Sequence, residues 1–402
     1  MTFDQSDKAI KWLKILQQFM EDNIYPLEKE YRSFTSKNLW QVYPELDGLK
    51  AMAREKKLWN LFLPPSYEQY SPGLTNIEYA PLAELMGRMP WSAQVFNCSA
   101  PDTGNMEVLA KYGTDQQKQK WLEPLLQGSV RSAFLMTEPD VASSDARNIN
   151  CSINREGNHY IINGHKWWST GGLHPQTRFF ILMGKSNPEA DRNQQQSMIV
   201  VPADSPGVRI KRPLSVFGYL DAPEGHAEIE LDNVKVPSEN LILREGAGFE
   251  IAQGRLGPGR IHHCMRLIGS AQRALEMMCQ RVSDRSAFGR KIASFSSIRQ
   301  DIAISLGQIE QARLLCYKTA YLIDTKGISD ARDHVAMIKM VIPRMACSVI
   351  DRSIQAHGGL GLCQDTCLPE MWTYARALRL ADGPDEVHMY QLGRNTIKKY
   401  TE

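Results

Sequence analysis

A chain of 402 residues with 43% hydrophobic and 23% charged side chains has material for two or three packed units and lies far from disordered composition. Its formal charge of +2 supplies no broad field to attract nucleic acid or a membrane surface. The longest apolar runs, such as Phe179 to Met183, are much shorter than the roughly 20 residues a membrane span needs.

The opening stretch, Met1 to Leu16, mixes acids and bases around Ile10, Leu13, Leu16 and Met20, which predicts an amphipathic helix and lacks the apolar core of a signal peptide. A soluble, cytoplasmic protein is expected. Up to about residue 131 the pattern stays helical, punctuated by Pro44, Pro64-Pro65, Pro72-Gly73 and Pro90. Thr75 and Glu78 form a T-x-x-E capping box ahead of a helix over Tyr79 to Met89. Asp115 to Leu126 reads as a further helix ended by Gly128. From 132 to 243 strands are expected at His159 to Asn163, Arg178 to Met183, Ser197 to Val201 and His226 to Val236. Lys185 to Gln196, with little to bury, reads as an exposed hairpin loop. From 244 to 402 the helical period returns, through Ile261, Met265, Ile268 and Leu275, then Ile302, Leu306, Ile309 and Cys316. A third helix runs from about Asp333 past Pro343, where a bend is expected. The eight cysteines are scattered without a CxxC pair, which suits buried thiols rather than a disulfide framework. Cys363, Cys367 and His357 do not complete a zinc set, so no metal is expected.

Four strings, in order, make the chain resemble the acyl-CoA dehydrogenases over nearly its whole length: Phe134 to Asp145 (FLMTEPDVASSD), Ile162 to Gly172 (INGHKWWSTGG), Leu231 to Phe249 (LDNVKVPSENLILREGAGF) and Arg285 to Lys291 (RSAFGRK). The branch most similar is the one that animals fuse to an aminoglycoside-phosphotransferase-like kinase domain, where the doubled Trp and Ala381 to His388 (ADGPDEVH) are familiar. No kinase segment occurs here. The resemblance implies an α+β fold with an N-terminal helical domain (1–131), a middle β-barrel-like domain (132–243) and a C-terminal four-helix bundle (244–402). It implies FAD, an acyl-CoA substrate, electron-transfer flavoprotein as electron acceptor, and a homodimer or homotetramer.

By the same resemblance Phe134, Met136, Thr137 and Ser144 line the flavin and its pyrophosphate, Trp168 stacks near the ring, and Thr170 binds its carbonyl side. An apolar start followed by hydroxyls suits a flavin's polar edge. Arg285, whose planar fork suits a pyrophosphate, matches the family arginine that reaches the FAD of a neighbouring subunit, with Phe288 at the expected spacing. Ser296 stands where the family commonly has Gln. Gln355 and Gly359, with Gly358, fit the adenine-side turn, where glycine permits close approach. Pro384 and Glu386 complete the cofactor set, and Ser144, Arg260 and Gly383 are assigned to substrate.

The chemistry turns on a base. An ionised carboxylate must take the α-proton of the thioester while hydride leaves the β-carbon for flavin N5. Aligned with the family's Tyr-Glu-Gly-Thr string, Leu380 to Glu386 puts Asp382 at that position. An Asp is one methylene shorter than Glu, and catalysis is sensitive to such displacement. The bland alternative is that Asp382 caps the next helix. Some relatives carry the base one residue before an Arg on a bundle helix, and here Gly259 precedes Arg260. Glu370 and Asp385 are lesser candidates. His262 and His263 read as surface or packing residues. An acyl-CoA oxidase using oxygen, or a flavin-containing nucleic-acid-binding relative, are the competing functions.

Overall fold

A computed structural model describes residues 5–401, apart from the side chains of Leu256 and Pro258; the first residues of the expected opening helix lie outside it. In chain order come helices α1 (Asp7–Phe19), α2 (Glu28–Lys37), α3 (Leu46–Glu55), α4 (Asn76–Gly87) and α5 (Asp102–Tyr112). Seven strands follow: β1 (Arg131–Leu135), β2 (Ser152–Glu156), β3 (His159–Thr170), β4 (Thr177–Lys185), β5 (Gln196–Pro202), β6 (Val208–Leu214) and β7 (His226–Pro237). The chain ends in helices α6 (Gly248–Asp284), α7 (Ser296–Lys326), α8 (Arg332–His357), α9 (Leu368–Ala377) and α10 (Asp385–Thr401). Mixed helix and strand content in this order is the fold the sequence led us to expect.

Local chemistry sets the boundaries. Ser6 caps α1 by accepting from the Ala9 amide at 3.1 Å, and α1 buries Ala9, Leu16 and Phe19 while Ile10 turns outward. The Thr75–Glu78 capping box forms, and Asp324 adds acceptors to the amides of Asn76 and Ile77 at 2.9 Å, a carboxylate at the positive end of α4. Residues 115–126 are helical, but the middle five, Lys118–Leu122, widen into a π-turn just before Pro124, which has no amide to donate. Helix α8 runs unbroken through Pro343.

The sheet has the order β1-β4-β2-β3-β7-β6, with β5 also paired to β4. Strands β1 and β4 are parallel, whereas β4–β5, β2–β3, β3–β7 and β6–β7 are antiparallel. Lys185 pairs with Gln196, so the expected polar hairpin loop is seen. Two compact units emerge: residues 26–72 with 94–256, which hold the whole sheet, and residues 1–25, 73–93 and 257–402. Among the described residues no helix is long and apolar enough to cross a membrane.

Candidate active site

In the sheet-containing unit, Phe134, Met136 and Thr137 lie at the end of β1, and Trp168 and Thr170 at a bulge in β3. The β3–β7 register slips between Lys166 and Ser169, and Trp168 takes a left-handed φ of 53°. That bulge turns Trp168 outward, 40% exposed, an arrangement that costs backbone strain and leaves a large apolar ring uncovered. Its ring lies 5.6 Å from that of His226, whose Nδ1 is 2.9 Å from the Thr170 hydroxyl. The Trp167 amide donates to the Thr137 carbonyl at 3.0 Å, tying the bulge to the loop after β1. Phe134 is half-buried under the Arg255 guanidinium, 3.8 Å above its ring. Ser144 is exposed, while its neighbour Ser143 is turned inward and accepts from the Glu138 amide at 2.9 Å.

In the other unit, Asp382 sits on a turn between α9 and α10 with φ 56°, followed by Gly383 at 98°. Cations fix this turn. Arg260 Nε donates to the Asp382 carbonyl at 2.9 Å, and Lys339, fully buried on α8, donates to the carbonyls of Leu378 (2.6 Å) and Ala381 (2.8 Å). Burial holds Lys339 and Arg260 below their ordinary pKa values, each opposed by the charge of Asp382. A Cβ at Gly383 would meet His388 Nε2 at a tight 3.0 Å, and its φ of 98° disfavours any side chain, so glycine suits the turn. Asp385 accepts from Arg344 and Arg379, each at 2.8 Å; it braces the start of α10, which removes it as a candidate base. Glu370 is exposed at the start of α9.

The Asp382 carboxylate faces helix α6. His263 Nε2 lies 3.6 Å from Asp382 Oδ2, and a Cβ added at Gly259 would lie 3.5 Å from the same oxygen. The Asp382 carboxylate and a side chain at position 259 would therefore share one space. His262 is 1% exposed and packs edge-on against Tyr79, with burial pushing its pKa down to about 3. It is a packing group with a neutral ring, whereas His263 lies beside the Asp382 carboxylate.

Arg285 is exposed, and Phe288, 95% exposed, forms with Gly289 the two-residue turn of a small hairpin, Ser286–Ala287 against Arg290–Lys291. Both turn residues have positive φ, the geometry such hairpins require. Gln355, Gly358 and Gly359 are exposed at the end of α8, with open space where Cβ atoms of the glycines would project. Pro384 is half-buried and Glu386 exposed on the first turn of α10. Among the described residues no group of three metal-ligating side chains converges, and His357 instead bonds the Ser353 carbonyl at 2.7 Å.

Comparison with known proteins meets this geometry. The acyl-CoA dehydrogenase N-terminal, middle and C-terminal domain families match residues 6–129, 133–234 and 246–397. The chain belongs to the acyl-CoA dehydrogenase family. Members are FAD-dependent oxidoreductases acting on a CH–CH bond, and the fold is typically tetrameric. The chain is 54% identical over 387 residues to acyl-CoA dehydrogenase family member 10 of Mus musculus, covering 95% of this chain and 36% of that one. It is 50% identical over 406 residues to probable acyl-CoA dehydrogenase FadE2 of Mycobacterium tuberculosis, covering 99% and 98%. A solved structure from Mycobacterium abscessus, described as of an acyl-CoA dehydrogenase, superposes with a TM-score of 0.97 at 49% identity, covering 99% of this chain and 100% of that one. The chain spans about a third to a half of the length of several curated relatives it matches.

Some participants were not legible in the family strings. Glu138 and Lys166 lie within quoted motifs, yet neither was singled out. They form a buried pair at 2.8 Å, with Lys166 also bonding the Met136 and Met183 carbonyls and Glu138 accepting from the amides of Asn150 and Cys151. Together they brace the loop that carries Thr137 and Ser144. A cleft of about 480 Å³ opens nearby, but its charged lining is mainly acidic: Glu138, Asp140, Glu230 and Asp232 against Lys211. An anionic CoA would be repelled there, so we leave it out of the site.

Proposed function

We propose that this chain carries out FAD-dependent α,β-dehydrogenation of an acyl-CoA thioester to its trans-2-enoyl-CoA, with Asp382 as the base. The observation that carries the reading is the Asp382 turn: a carboxylate on left-handed backbone, its main chain gripped by Arg260 and Lys339, aimed at the gap that Gly259 leaves. Fixed backbone substitutes for the reach lost with one methylene, because rate depends on holding the acceptor oxygen against the α-proton. Asp382 takes that proton, Arg260 holds the turn, and Ser144, Arg260 and Gly383 line the substrate.

Uncovered aromatic surface at Trp168 and Phe288, hydroxyls at Thr137 and Thr170, and open glycines at 358–359 fit a flavin dinucleotide. Bound FAD would supply the hydride acceptor for the β-hydrogen at its N5. Phe134, Met136, Thr137, Ser144, Trp168 and Thr170 would hold the flavin side, and Arg285, Phe288, Gln355, Gly359, Pro384 and Glu386 the dinucleotide. An almost fully exposed Phe on a strained turn favours cover by a second copy, so Arg285 and Phe288 are assigned to a neighbouring subunit's cofactor in a homodimer or homotetramer. Electrons would pass to electron-transfer flavoprotein. Domain boundaries at 131/132 and 243/244 belong to the same proposal.

The test is anaerobic mixing of the purified holoprotein with a panel of short, long, branched and hydroxylated acyl-CoAs, following loss of flavin absorbance. Asp382→Asn should keep FAD and bind enoyl-CoA product, yet bleach at least about 10³-fold more slowly. Bleaching at the native rate would move the base elsewhere.

A further inference from the structure

His263 is placed for a task that its helical setting does not suggest. Its side chain is 14% exposed on α6, between two groups on the C-terminal segment: Asp382 Oδ2 at 3.6 Å from Nε2, and the Tyr374 hydroxyl at 3.2 Å from Nδ1. Arg266, one helical turn on, brings a guanidinium nitrogen to 3.2 Å from the same Nδ1. A guanidinium can only donate, so Nδ1 must accept; in a neutral imidazole the proton then resides on Nε2. That N–H faces the Asp382 carboxylate. At 3.6 Å the contact is electrostatic rather than a hydrogen bond, and catalytic contacts of this kind tighten when ligand binds.

We propose that His263 is a positioning residue, held by Arg266 as the Nε2–H tautomer, which orients the Asp382 carboxylate and keeps it ionised for proton abstraction. The inference rests on Asp382 being the base. A donor aimed at the charged form of a carboxylate favours that form, and a third group that orients the base is what a short, mobile carboxylate needs. Arg260 on α6, Lys339 on α8 and the Cys264 thiol also sense the charge of Asp382, and His388 on α10 faces the same turn through the backbone of Asp382 and Gly383. His262 and Arg266 share the His263 helix, and Tyr374 faces it from α9. Both cations hold the turn through main-chain carbonyls, whereas the His263 ring nitrogen faces the carboxylate itself.

The test compares two amides differing by one methylene, in the FAD-bound protein. In His263→Gln the amide nitrogen takes the place of Nε2 and reaches Asp382; in His263→Asn the amide oxygen takes the place of Nδ1 and still accepts from Arg266 and Tyr374, while the shorter side chain leaves no donor within reach of Asp382. Rate constants for anaerobic bleaching by an acyl-CoA that serves the native protein are measured against pH, with substrate affinity from the same titrations. His263→Asn should bleach on the order of 10- to 100-fold more slowly near neutrality with substrate affinity unchanged, its acid limb displaced upward by about one pH unit, one unit being a tenfold change in ionised fraction. His263→Gln should recover to within about threefold on both counts. Indistinguishable Asn and Gln variants, a native rate and profile in the Asn variant, or loss of flavin from both would overturn the assignment. If Asp382→Asn is inert while His263→Asn is native, only the role of His263 fails; if Asp382→Asn bleaches normally, the base assignment fails first.

Discussion

A glycine inside a helix costs about 1 kcal/mol relative to alanine, and at Gly259 a new Cβ would meet, among the described residues beyond its own helix, Asp382 Oδ2 at 3.5 Å. A carboxylate grown from 259 would therefore end near the one that Asp382 supplies. Asp382→Ala should abolish flavin bleaching, and adding Gly259→Glu to it should restore a rate about 10²-fold below native, the penalty expected for roughly an ångström of misplacement. Double and single variants of equal rate, both retaining FAD, would show that the two positions do not serve the same atom. This residue-level picture was half legible. Asp382 was legible as a candidate from its string, and Gly259 as the place where some relatives carry a base. The donors around Asp382 were not, because Lys339 and His263 belong to α8 and α6, where helical periodicity reads them as ordinary residues.

Elements were legible where apolar pattern alone decides them and illegible where partners do. A strand was expected at His159 to Asn163; it continues to Thr170. Gly164 is there for proximity: a Cβ would lie 2.6 Å from Cys151 Sγ. Strand β6 escaped notice because Arg209, Lys211 and Arg212 are bound across to Asp232, Glu230 and Glu228 on β7, an ionic ladder in place of apolar alternation. The same reasoning gives the Lys166–Glu138 pair its consequence. Lys166→Met should leave Glu138 buried beside no cation and destabilise the protein by about 3–5 kcal/mol, loosening the loop of Thr137 and Ser144 and lowering FAD retention. Adding Glu138→Gln, which removes the charge and keeps an acceptor for one of the two amides of Asn150 and Cys151, should recover part of the loss. Urea unfolding with flavin fluorescence checks both; a Lys166→Met protein of native stability would mean the pair braces nothing.

Across the molecule, buried ionisable groups act in opposite directions on stability. Burial pushes the Glu107 carboxyl on α5 up to about 8, with Arg255 and Lys111 opposing, and both its oxygens lack a hydrogen-bond partner. Glu224 is raised to about 7, also by burial, but its side chain keeps 17% exposure and counts for less. Against these, burial lowers His174 and His262 to about 3 and His388 to about 4. For the carboxyls the folded state binds the proton more tightly than the unfolded chain, whose value is near 4.5. Their stabilisation is thus complete below that value and lost as pH climbs through 7 to 8. For the histidines the unfolded chain takes up protons first, near 6.5, so stability declines as pH falls from 6.5 toward 4 and below. Thermal unfolding of the FAD-loaded protein should accordingly peak in mildly acidic buffer, between the two limbs. Glu107→Gln cannot ionise, so it should raise the melting temperature at pH 8 while leaving it nearly unchanged at pH 5, a difference on the order of a few kcal/mol. An equal effect at both pH values would mean that Glu107 is already ionised in the folded chain, its charge met by Arg255, and that the alkaline limb has another origin.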